Sequence, residues 1–534
     1  MRIKLAYILK YLLILGVFKT IVACSKGFKR ETRPNVVFIL VDDLGFSDIG
    51  AYGSEISTPN IDKLASNGVR FSNAYNTSKC FPSRACLLTG LYSQQIGYNK
   101  TFKLSMSHAI TLGELFKMTG YTTMWSGKHH SIENPINRGF DHYSGLLDGA
   151  SNHFNPGLQR EGEGIPAQKR NFKKNTNAPY RNWVIDGKII NPYTPEKDFY
   201  TTDAFTDYAL EWIDEKNDSP FFLYLSYTAP HDPLMAWPED IKKYKNKYDV
   251  GYKVIRENRF LKQKQLGIIS ENTQLSKPEY QNWKGLSAEE RAIEIQRMEV
   301  YAAMIDRIDQ NIGKLLSKLE AIGELDNTLI LFASDNGASS ENSELGIDNS
   351  GPIGSATHWR SLQKNWANVS NTPYRQYKNW SHEGGIKTPL IAYWPKEIHS
   401  SDKIVTTPVH FIDFMATFID VLNIEYPTEY NDQKIIQTPG ESFFPYLNAD
   451  GNVIRKTPLF WEWQHGKAIR QADWKLVAYK KKWALYNLEQ DPIEEHNLID
   501  TNPKIADSLK GLYKDWFNKV VLSNNSVTKK NKLK

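Results

Sequence analysis

Four apolar runs along the chain each end abruptly at charged or metal-ligating side chains. The runs are continuous and rich in β-branched or aromatic residues, as expected of strands buried on both faces of a parallel sheet. Open α/β sheets bind ligands just outside the carboxyl ends of their strands, so the pattern predicts one shared site. The runs and the residues that end them are Asn35–Val41 before Asp42-Asp43, Tyr121–Trp125 before Gly127-Lys128-His129-His130, Phe221–Tyr227 before His231, and Thr328–Ala333 before Asp335-Asn336.

Helical periodicity is clearest between about residues 288 and 322, where Gly323 ends the run. Apolar residues recur there at three- and four-residue spacing, so we expect a helix that packs against the sheet and has no direct role in chemistry. From about residue 455 short alternating runs take over. They predict a small antiparallel subdomain, closed by a helix near residues 506–518.

The N-terminal segment has the composition of a targeting leader. Lys4 and Lys10 precede the apolar run Tyr11–Phe18, which is too short to span a bilayer as a stable helix. The run ends near Ile21-Val22-Ala23-Cys24, which resembles a bacterial lipobox with Cys24 as the acylated residue; an ordinary cleaved signal is the alternative. Both interpretations predict an exported protein of the periplasm or cell surface. In the lipobox interpretation, a lipid anchor on Cys24 is its only contact with the membrane.

Composition narrows the class of protein. The 534 residues are 40% hydrophobic and 24% charged, which is ordinary for a soluble globular protein. The formal net charge of +6 is far too small to indicate a nucleic-acid partner. Fourteen Trp and 28 Tyr are many, and clefts for sugars or aromatic esters use such rings, although most of them are expected in the core.

Asp42 and Asp43 are adjacent carboxylates at the end of a predicted buried strand. Two such charges repel each other, and burial makes the repulsion worse, which a divalent cation would relieve. Asp335 and Asn336 offer further oxygens from another strand end. These hard donors favour Ca²⁺ or Mg²⁺ and argue against zinc. Helix capping by Asp42-Asp43 is the alternative, but it does not explain why both pairs occur in the same context.

Cys80 opens the run Cys80-Phe81-Pro82-Ser83-Arg84 at a predicted helix N-terminus, and Gly90 suits the end of that helix. A helix N-terminus attracts anions, and Arg84 adds a bidentate donor for tetrahedral oxyanions. A disulfide with Cys86 is the alternative for Cys80. The proline-started helix would hold the two residues apart, so we expect Cys86 to be a buried core residue instead.

Together these motifs resemble the signatures of the type I, formylglycine-dependent sulfatases. The family carries C-x-P-S-R followed by a Leu-Thr-Gly helix end, which Cys80–Gly90 matches. Its second signature, G-Y-x-T-x-x-x-G-K-W-H, is matched by Gly120–His130, except that His129 stands where the family usually has Trp. A later block that ends in E-G-G is matched by Asn371–Gly385, which includes Lys378. The resemblance covers about residues 33–500, and the segment near 236–325 is most similar to bacterial arylsulfatases.

The resemblance implies an alkaline-phosphatase-like α/β fold. Its central sheet would be mostly parallel and flanked by helices, with a smaller C-terminal antiparallel sheet. The expected organisation is a signal peptide at residues 1–24, a sulfatase catalytic domain at 33–445, a C-terminal subdomain at 455–520 and a disordered tail at 521–534.

The resemblance also implies a mechanism. Cys80 would be oxidised to formylglycine (3-oxoalanine) by a maturation enzyme, and one hydroxyl of the hydrated aldehyde would attack sulfur. A metal, Ca²⁺ or alternatively Mg²⁺, would be held by Asp42, Asp43, residue 80, Asp335 and Asn336. The remaining roles are diol stabilisation by Arg84, neutralisation of sulfate oxygens by Lys128 and Lys378, proton donation to the leaving oxygen by His231, and proton removal by His130. His129 would line the pocket or pack in place of the family's Trp.

The expected function is a sulfuric ester hydrolase that acts on a sulfated carbohydrate, either a polysaccharide or an oligosaccharide, or on an aryl sulfate. One alternative is a phosphonate or phosphoester hydrolase of the same superfamily. The other is a non-catalytic surface protein that binds sulfated glycans, which the complete set of ligands and bases argues against. Side chains near the motifs that could reach the variable part of the substrate are His382, Trp463, His465 and Arg470.

Overall fold

A computed structural model of the chain describes residues 33–106, 108–168, 180–215, 219–344, 350–449 and 453–522. The predicted leader with Cys24 lies outside these residues, as does the predicted tail from residue 523 onward. Residues Asn518–Leu522 form a π-helical turn, so helical backbone continues two residues into the segment assigned to the tail. Among the described residues no helix has both the length and the apolar character needed to cross a membrane.

The main sheet has the strand order β10-β2-β9-β8-β1-β7-β3-β4-β5-β6, and β11 pairs with β2. All four predicted strands are present, as β1, β3, β7 and β8. The strands of this sheet are β1 (Asn35–Val41), β2 (Val69–Tyr75), β3 (Thr122–Gly127), β4 (His142–Leu146), β5 (Trp183–Ile185), β6 (Lys188–Ile190), β7 (Phe221–Ser226), β8 (Thr328–Ser334), β9 (Lys387–Tyr393), β10 (Lys403–Val405) and β11 (Val409–His410).

The centre of the sheet is parallel. Strand β1 pairs in parallel with β7 and β8, and β7 pairs in parallel with β3. Strand β9 is antiparallel to both β8 and β2, so β2 runs in the same direction as the central strands. The carboxyl ends of β2, β8, β1, β7 and β3 therefore meet at one edge of the sheet, as the sequence predicts.

Helices cover the sheet and link its strands. The long predicted helix is present as α7, which differs from the prediction by one residue at its C-terminal end and begins with a capping box from Ser287 and Glu290. The helices are α1 (Pro59–Ser66), α2 (Cys80–Thr89), α3 (Leu112–Met118), α4 (Thr201–Glu215), α5 (Pro238–Lys243), α6 (Gly251–Gln265), α7 (Ala288–Ala321), α8 (Gln363–Ser370), α9 (Glu383–Ile386), α10 (Asp413–Leu422) and α11 (Pro503–Phe517).

Strand β1 is buried on both faces, which explains its unbroken apolar run. Val36, Phe38 and Leu40 point into one hydrophobic cluster, which also contains side chains of the C-terminal sheet. Val37, Ile39 and Val41 point into the other, which contains the apolar side of α7. Because successive side chains of a strand alternate in direction, one strand joins both halves of the core.

The predicted C-terminal meander forms a four-stranded antiparallel sheet. Its strands are β14 (Leu459–Trp463), β15 (Gly466–Gln471), β16 (Trp474–Tyr479) and β17 (Lys482–Asn487), and α11 follows them. A two-stranded ribbon, β12 (Glu429–Tyr430) and β13 (Gln433–Lys434), precedes them. From Asn35 onward the described residues form one compact unit, so this sheet shares the core of the main sheet.

A buried ion network joins the C-terminal sheet to the start of α9. The ammonium of Lys475 on β16 lies 2.7 Å from Glu383 Oε1 and 2.8 Å from Glu494 Oε1. All three side chains are almost completely buried. Glu383 also accepts a hydrogen bond of 2.8 Å from Tyr75 Oη on β2. Each charge is compensated only while its partners are present, so the network depends on Lys475.

Substitution Lys475→Met should destabilise the protein strongly, because it leaves the buried Glu494 carboxylate without its cation and removes one of the two lysines, Lys475 and Lys387, that face Glu383. We expect the free energy of unfolding to fall by about 3–5 kcal/mol, measured by thermal or chemical denaturation. Lys510→Met is the matched control, because the Lys510–Asp507 pair is 3.3 Å long and solvent-exposed. The control should lose less than about 1 kcal/mol. Equal stability of the two variants would show that the buried network contributes nothing.

Candidate active site

Three strands of the main sheet, β1, β7 and β2, deliver polar residues to one point at the carboxyl edge of the sheet. Asp42 and Asp43 follow β1, His231 follows β7, and Cys80 begins the helix after β2. One ligand atom from each of these four residues lies within 4.8 Å of the other three. The single shared site that the strand pattern predicts is therefore present.

Asp43 is at the centre of the acidic group. It adopts a left-handed backbone conformation with φ of 64°, which turns the chain sharply as it leaves β1. Its backbone N–H donates to Asp335 Oδ1 at 3.4 Å, and its Oδ1 accepts a hydrogen bond of 2.5 Å from Asn336 Nδ2. The two predicted pairs, from β1 and β8, thus come together in the structure.

Three basic side chains are buried against the three carboxylates. Lys128 contacts Asp42, Lys378 Nζ lies 2.9 Å from Asp43 Oδ1, and Arg84 Nε lies 2.8 Å from Asp335 Oδ2. The protein's own charges therefore balance, and a divalent cation would make the site positive enough to attract an anionic ester.

The carboxylates respond differently to this environment. Burial raises the pKa of Asp42, and the charge of Asp335 raises it further. Burial alone would also raise the pKa of Asp335, but the guanidinium of Arg84 and the ammonium of Lys128 outweigh it and lower the pKa. The carboxylate repulsion that Asp42 experiences therefore comes more from Asp335 on β8 than from its sequence neighbour Asp43.

The donor set fits a hard cation. Asp42 Oδ1 and Asn336 Oδ1 are both buried, and neither has a hydrogen-bond partner among the described residues. Unpaired buried acceptors are costly, and a cation would satisfy both oxygens at once. Asp42, Asp43, Asp335 and Asn336 offer oxygen donors of the kind that Ca²⁺ and Mg²⁺ prefer.

Cys80 is the first residue of α2, as the motif predicts. The helix ends at Gly90, whose φ of 65° makes it a left-handed cap. The side chain of Cys80 is 1% exposed, and burial raises the pKa of its thiol well above the usual value. Cys80 and Cys86 are both free thiols, so the disulfide alternative does not hold, and Cys86 lies in the core as expected.

His231 lies against the acidic group on the β7 side. Its Nε2 is 3.5 Å from Asp43 Oδ2, and its Nδ1 is 2.9 Å from Asp232 Oδ1. Burial lowers the pKa of His231, but the charges of Asp43 and Asp42 outweigh burial and raise it above the usual value. The protein's own charges therefore favour a protonated imidazole at this position.

The two adjacent histidines occupy different environments. His129 is buried, and its ring packs edge-on against Trp125 with centroids 4.5 Å apart. His130 is partly exposed and packs against the ring of Phe81, the residue after Cys80, with centroids 5.6 Å apart. Burial, and then the charge of Lys128, lowers the pKa of His130 well below the usual value. His130 thus packs against the residue that follows Cys80, while His129 packs against Trp125 on β3.

The helical pattern does not reveal that α7 reaches the site. The hydroxyl of Tyr301 donates to the carbonyl of Asp43 at 3.2 Å and to Asp48 Oδ2 at 2.7 Å. Arg259 on α6 holds the other oxygen of Asp48 at 2.6 Å. The expectation that α7 only packs against the sheet is therefore incomplete, because it also fixes the backbone of a candidate ligand.

The sequence motifs also did not predict several other contacts near the site. His153 Nε2 lies 3.1 Å from the carbonyl oxygen of His231, and Glu341 Oε2 lies 3.4 Å from Lys378 Nζ. Trp463 packs against Phe81 with ring centroids 5.3 Å apart, which places it on the side of residue 80. The remaining candidates for substrate contact have other partners: Arg470 contacts Tyr75, His382 packs on Trp380, and His465 packs on Tyr479.

Comparison with known protein families finds two matches along the chain. A family model described as Sulfatase matches residues 34–424. A second, described as N-sulphoglucosamine sulphohydrolase, C-terminal, matches residues 375–519. The first match contains all of the residues that meet at the carboxyl edge of the main sheet, and the second contains the C-terminal sheet.

Individual proteins are similar over most of the chain. An uncharacterized sulfatase of Schizosaccharomyces pombe is 32% identical and covers 89% of this chain and 92% of its own. An arylsulfatase of Klebsiella aerogenes is 34% identical and covers 74% of this chain and 88% of its own. The solved structure of Ps i-CgsB in complex with k-i-k-neocarrahexaose is 26% identical, with a TM-score of 0.65, and covers 91% of this chain and 93% of its own.

Substitution Tyr301→Phe should weaken cation binding while leaving the fold intact. Loss of the hydroxyl frees the Asp43 carbonyl, and residues that orient metal ligands typically contribute 10–100-fold to affinity. We therefore expect the affinity for Ca²⁺ to fall by about tenfold or more, measured by isothermal titration calorimetry.

Tyr244→Phe provides the matched control. The Tyr244 hydroxyl donates to a carboxylate, Asp306 Oδ2, at 2.8 Å and is buried, but it does not contact the site. This variant should lose stability and keep the wild-type affinity for Ca²⁺. The same loss of affinity in both variants would contradict a positioning role for Tyr301.

Proposed function

The chain belongs to the sulfatase family of sulfuric ester hydrolases, and from this we propose that it removes sulfate from a sulfated carbohydrate by means of a formylglycine at position 80. The observation that carries the proposal is the position of Cys80. The Sγ atom of Cys80 lies within 4.8 Å of one ligand atom from each of Asp42, Asp43 and His231. These atoms lie at the carboxyl edge, where parallel sheets bind ligands.

The environment of Cys80 supports maturation of this residue. A cysteine attacks as a thiolate, and burial raises the pKa of the Cys80 thiol, which keeps it protonated. An unmodified thiol there would be a weak nucleophile. Conversion to formylglycine requires a maturation enzyme, which we propose as a partner of this chain.

The basic side chains and the histidines would neutralise charge and transfer protons. Lys128 and Lys378 are buried beside the carboxylates and would neutralise charge that develops on the sulfate oxygens. His231, whose Nδ1 lies 2.9 Å from Asp232 Oδ1, would give a proton to the leaving oxygen. His130, whose ring packs against Phe81 next to residue 80, would take a proton from the matured residue. Arg84 would stabilise the matured side chain.

We propose Ca²⁺ as the metal, with Mg²⁺ as the alternative. Asp42, Asp43, Asp335 and Asn336 would hold it, together with residue 80. When bound, the ion would act as a Lewis acid towards the sulfate group. Two unpaired buried oxygens, on Asp42 and Asn336, support a cation at this position.

A sulfated carbohydrate is the proposed natural substrate, and aryl sulfates are expected to react as well. Ps i-CgsB, which is similar over most of the chain, was solved with k-i-k-neocarrahexaose bound. Aromatic rings cluster next to residue 80: Phe102 and Trp463 both pack against Phe81. Such rings can cover the apolar face of a sugar or an aryl group.

We also propose that the protein is exported to the periplasm or the cell surface. The support is the leader composition, with Lys4 and Lys10 before the apolar run Tyr11–Phe18. The lipobox-like sequence ending at Cys24 favours a lipid anchor.

Maturation predicts a specific change in the protein when it is produced with a formylglycine-generating enzyme. Mass spectrometry of the peptide that contains residue 80 should show an aldehyde in place of the thiol. Cys80→Ala should then lower turnover of 4-nitrophenyl sulfate by at least about a thousandfold, as expected for loss of a nucleophile.

Cys86→Ala is the matched control on the same helix. Cys86 is buried in the core and is outside the group of ligand atoms, so its variant should retain most of the activity. Full activity of a preparation with an intact Cys80 thiol would refute the proposed maturation.

The alternative function, a phosphonate or phosphoester hydrolase, predicts faster hydrolysis of a phosphate ester than of the corresponding sulfate ester. We expect the matured enzyme to hydrolyse 4-nitrophenyl sulfate with a higher kcat/KM than 4-nitrophenyl phosphate, because the chain belongs to the sulfatase family and is 34% identical to an arylsulfatase of Klebsiella aerogenes. Faster turnover of the phosphate would contradict a sulfatase preference. A protein that only binds sulfated glycans would hydrolyse neither ester.

A further inference from the structure

We propose that an aromatic pocket beside the His231 loop binds a second, sulfated sugar unit of the same glycan chain whose sulfate ester is hydrolysed. This pocket, defined by Phe154, Trp237, Ile241, Ile353 and Ala356, encloses about 610 Å³. Ligand pockets commonly measure about 300–1,000 Å³, so a hexose unit fits. The inference rests on the proposed carbohydrate substrate and extends it to the recognition of a chain rather than a single sugar.

Direct contacts connect the wall of this pocket to the candidate active site. Phe154 follows His153, whose Nε2 lies 3.1 Å from the carbonyl oxygen of His231. Trp237 lies six residues after His231 on the same loop. Two segments of the pocket wall are therefore anchored at the loop of His231, one through the His153 contact and one through the chain from His231 to Trp237.

The pocket is largely apolar and built from rings. Phe154 and Trp237 pack edge-on with centroids 4.8 Å apart, and Tyr200 packs against both of them. Ile241 and Ile353 add aliphatic surface. Sugar rings present an apolar C–H face, and aromatic side chains in clefts bind such faces while their polar tips fix direction.

The pocket is also preformed. The indole N–H of Trp237 donates to Asp203 Oδ2 at 3.0 Å, which fixes the ring. Asn152 Nδ2 donates to the carbonyls of Ala167 and Ala356, at 2.9 and 2.7 Å, and so ties together two segments that line or support the wall. A preformed site loses less conformational entropy on binding than a flexible one.

Charge at the rim of the pocket favours an anionic unit. Lys197, Lys242 and Lys245 line it and are exposed. Arg160 is neutralised by Glu163 at 2.7 Å, which leaves Glu299 to offset the three lysines. An apolar floor with a basic rim is complementary to a sugar ring that carries a sulfate group.

The test compares a small and a long substrate on the matured enzyme. Substrates are 4-nitrophenyl sulfate and size-matched sulfated di- and hexasaccharides prepared from carrageenan and from heparan sulfate. The variants are Trp237→Ala and the double variant Lys242→Glu/Lys245→Glu, and Lys504→Glu, an exposed lysine on α11 that does not line the pocket, is the control.

Wild type should prefer the hexasaccharide of at least one series over its disaccharide. Both pocket variants should raise the KM for that hexasaccharide by about tenfold, equivalent to one lost contact of about 1.4 kcal/mol. Their kcat, and their turnover of 4-nitrophenyl sulfate, should stay within about twofold of wild type, as for the control. Because the two lysines are exposed, the double variant provides the test even if Trp237→Ala does not fold.

Two results would overturn the inference while leaving the sulfatase function standing. One is an unchanged KM for the hexasaccharide in the double variant. The other is a wild-type enzyme that hydrolyses the disaccharide as efficiently as the hexasaccharide. Failure of the wild-type enzyme on every glycan, with normal turnover of 4-nitrophenyl sulfate, would instead refute the carbohydrate substrate itself and the pocket's role with it.

Discussion

The site depends on one electrostatic compensation, in which three buried carboxylates face three buried cations at the carboxyl edge of the sheet. Asp42, Asp43 and Asp335 could not be placed together in a dry interior without Lys128, Lys378 and Arg84. The compensation is complete for the protein alone, so any bound divalent cation adds a positive excess. An anionic ester requires such an excess, and a cation bound by these carboxylates would supply it beside residue 80.

The fold supplies this arrangement by simple means. Parallel strands place their carboxyl ends on one edge, so residues from distant parts of the chain meet without long loops. Strand β9 lies between β8 and β2 and is antiparallel to both, so β2 runs in the same direction as the central strands. The start of α2, which follows β2, therefore lies at the same edge. The sharp turn at Asp43 and the hydroxyl of Tyr301 fix the exit from β1. Precision at the site therefore comes from the rigid sheet and from a helix packed behind it.

Sequence reasoning predicted the parts of this arrangement that are local or periodic. The four apolar strands, their shared edge, the helix that begins at Cys80 and the antiparallel C-terminal sheet all follow from hydrophobic pattern and turn chemistry. The environment of His129 and His130 could not be predicted, because adjacent residues with the same side chain differ only in their neighbours. The contact of Tyr301 with Asp43 could not be predicted for a similar reason. The spacing of Tyr301 shows which side of the helix is buried, but a buried tyrosine's hydroxyl finds its partner through contacts more than 250 positions away in the chain.

The burial of residue 80 has a consequence for the order of events in the life of the protein. In the folded chain the Cys80 side chain is 1% exposed, and the first turn of a helix holds its backbone. An enzyme that converts this thiol to an aldehyde must surround it, which the folded protein does not permit. If residue 80 is matured as we propose, the modification has to precede folding. The newly made chain must then remain unfolded long enough to meet its maturation enzyme, and a mutation that accelerates folding could abolish activity without altering a single contact in the finished site.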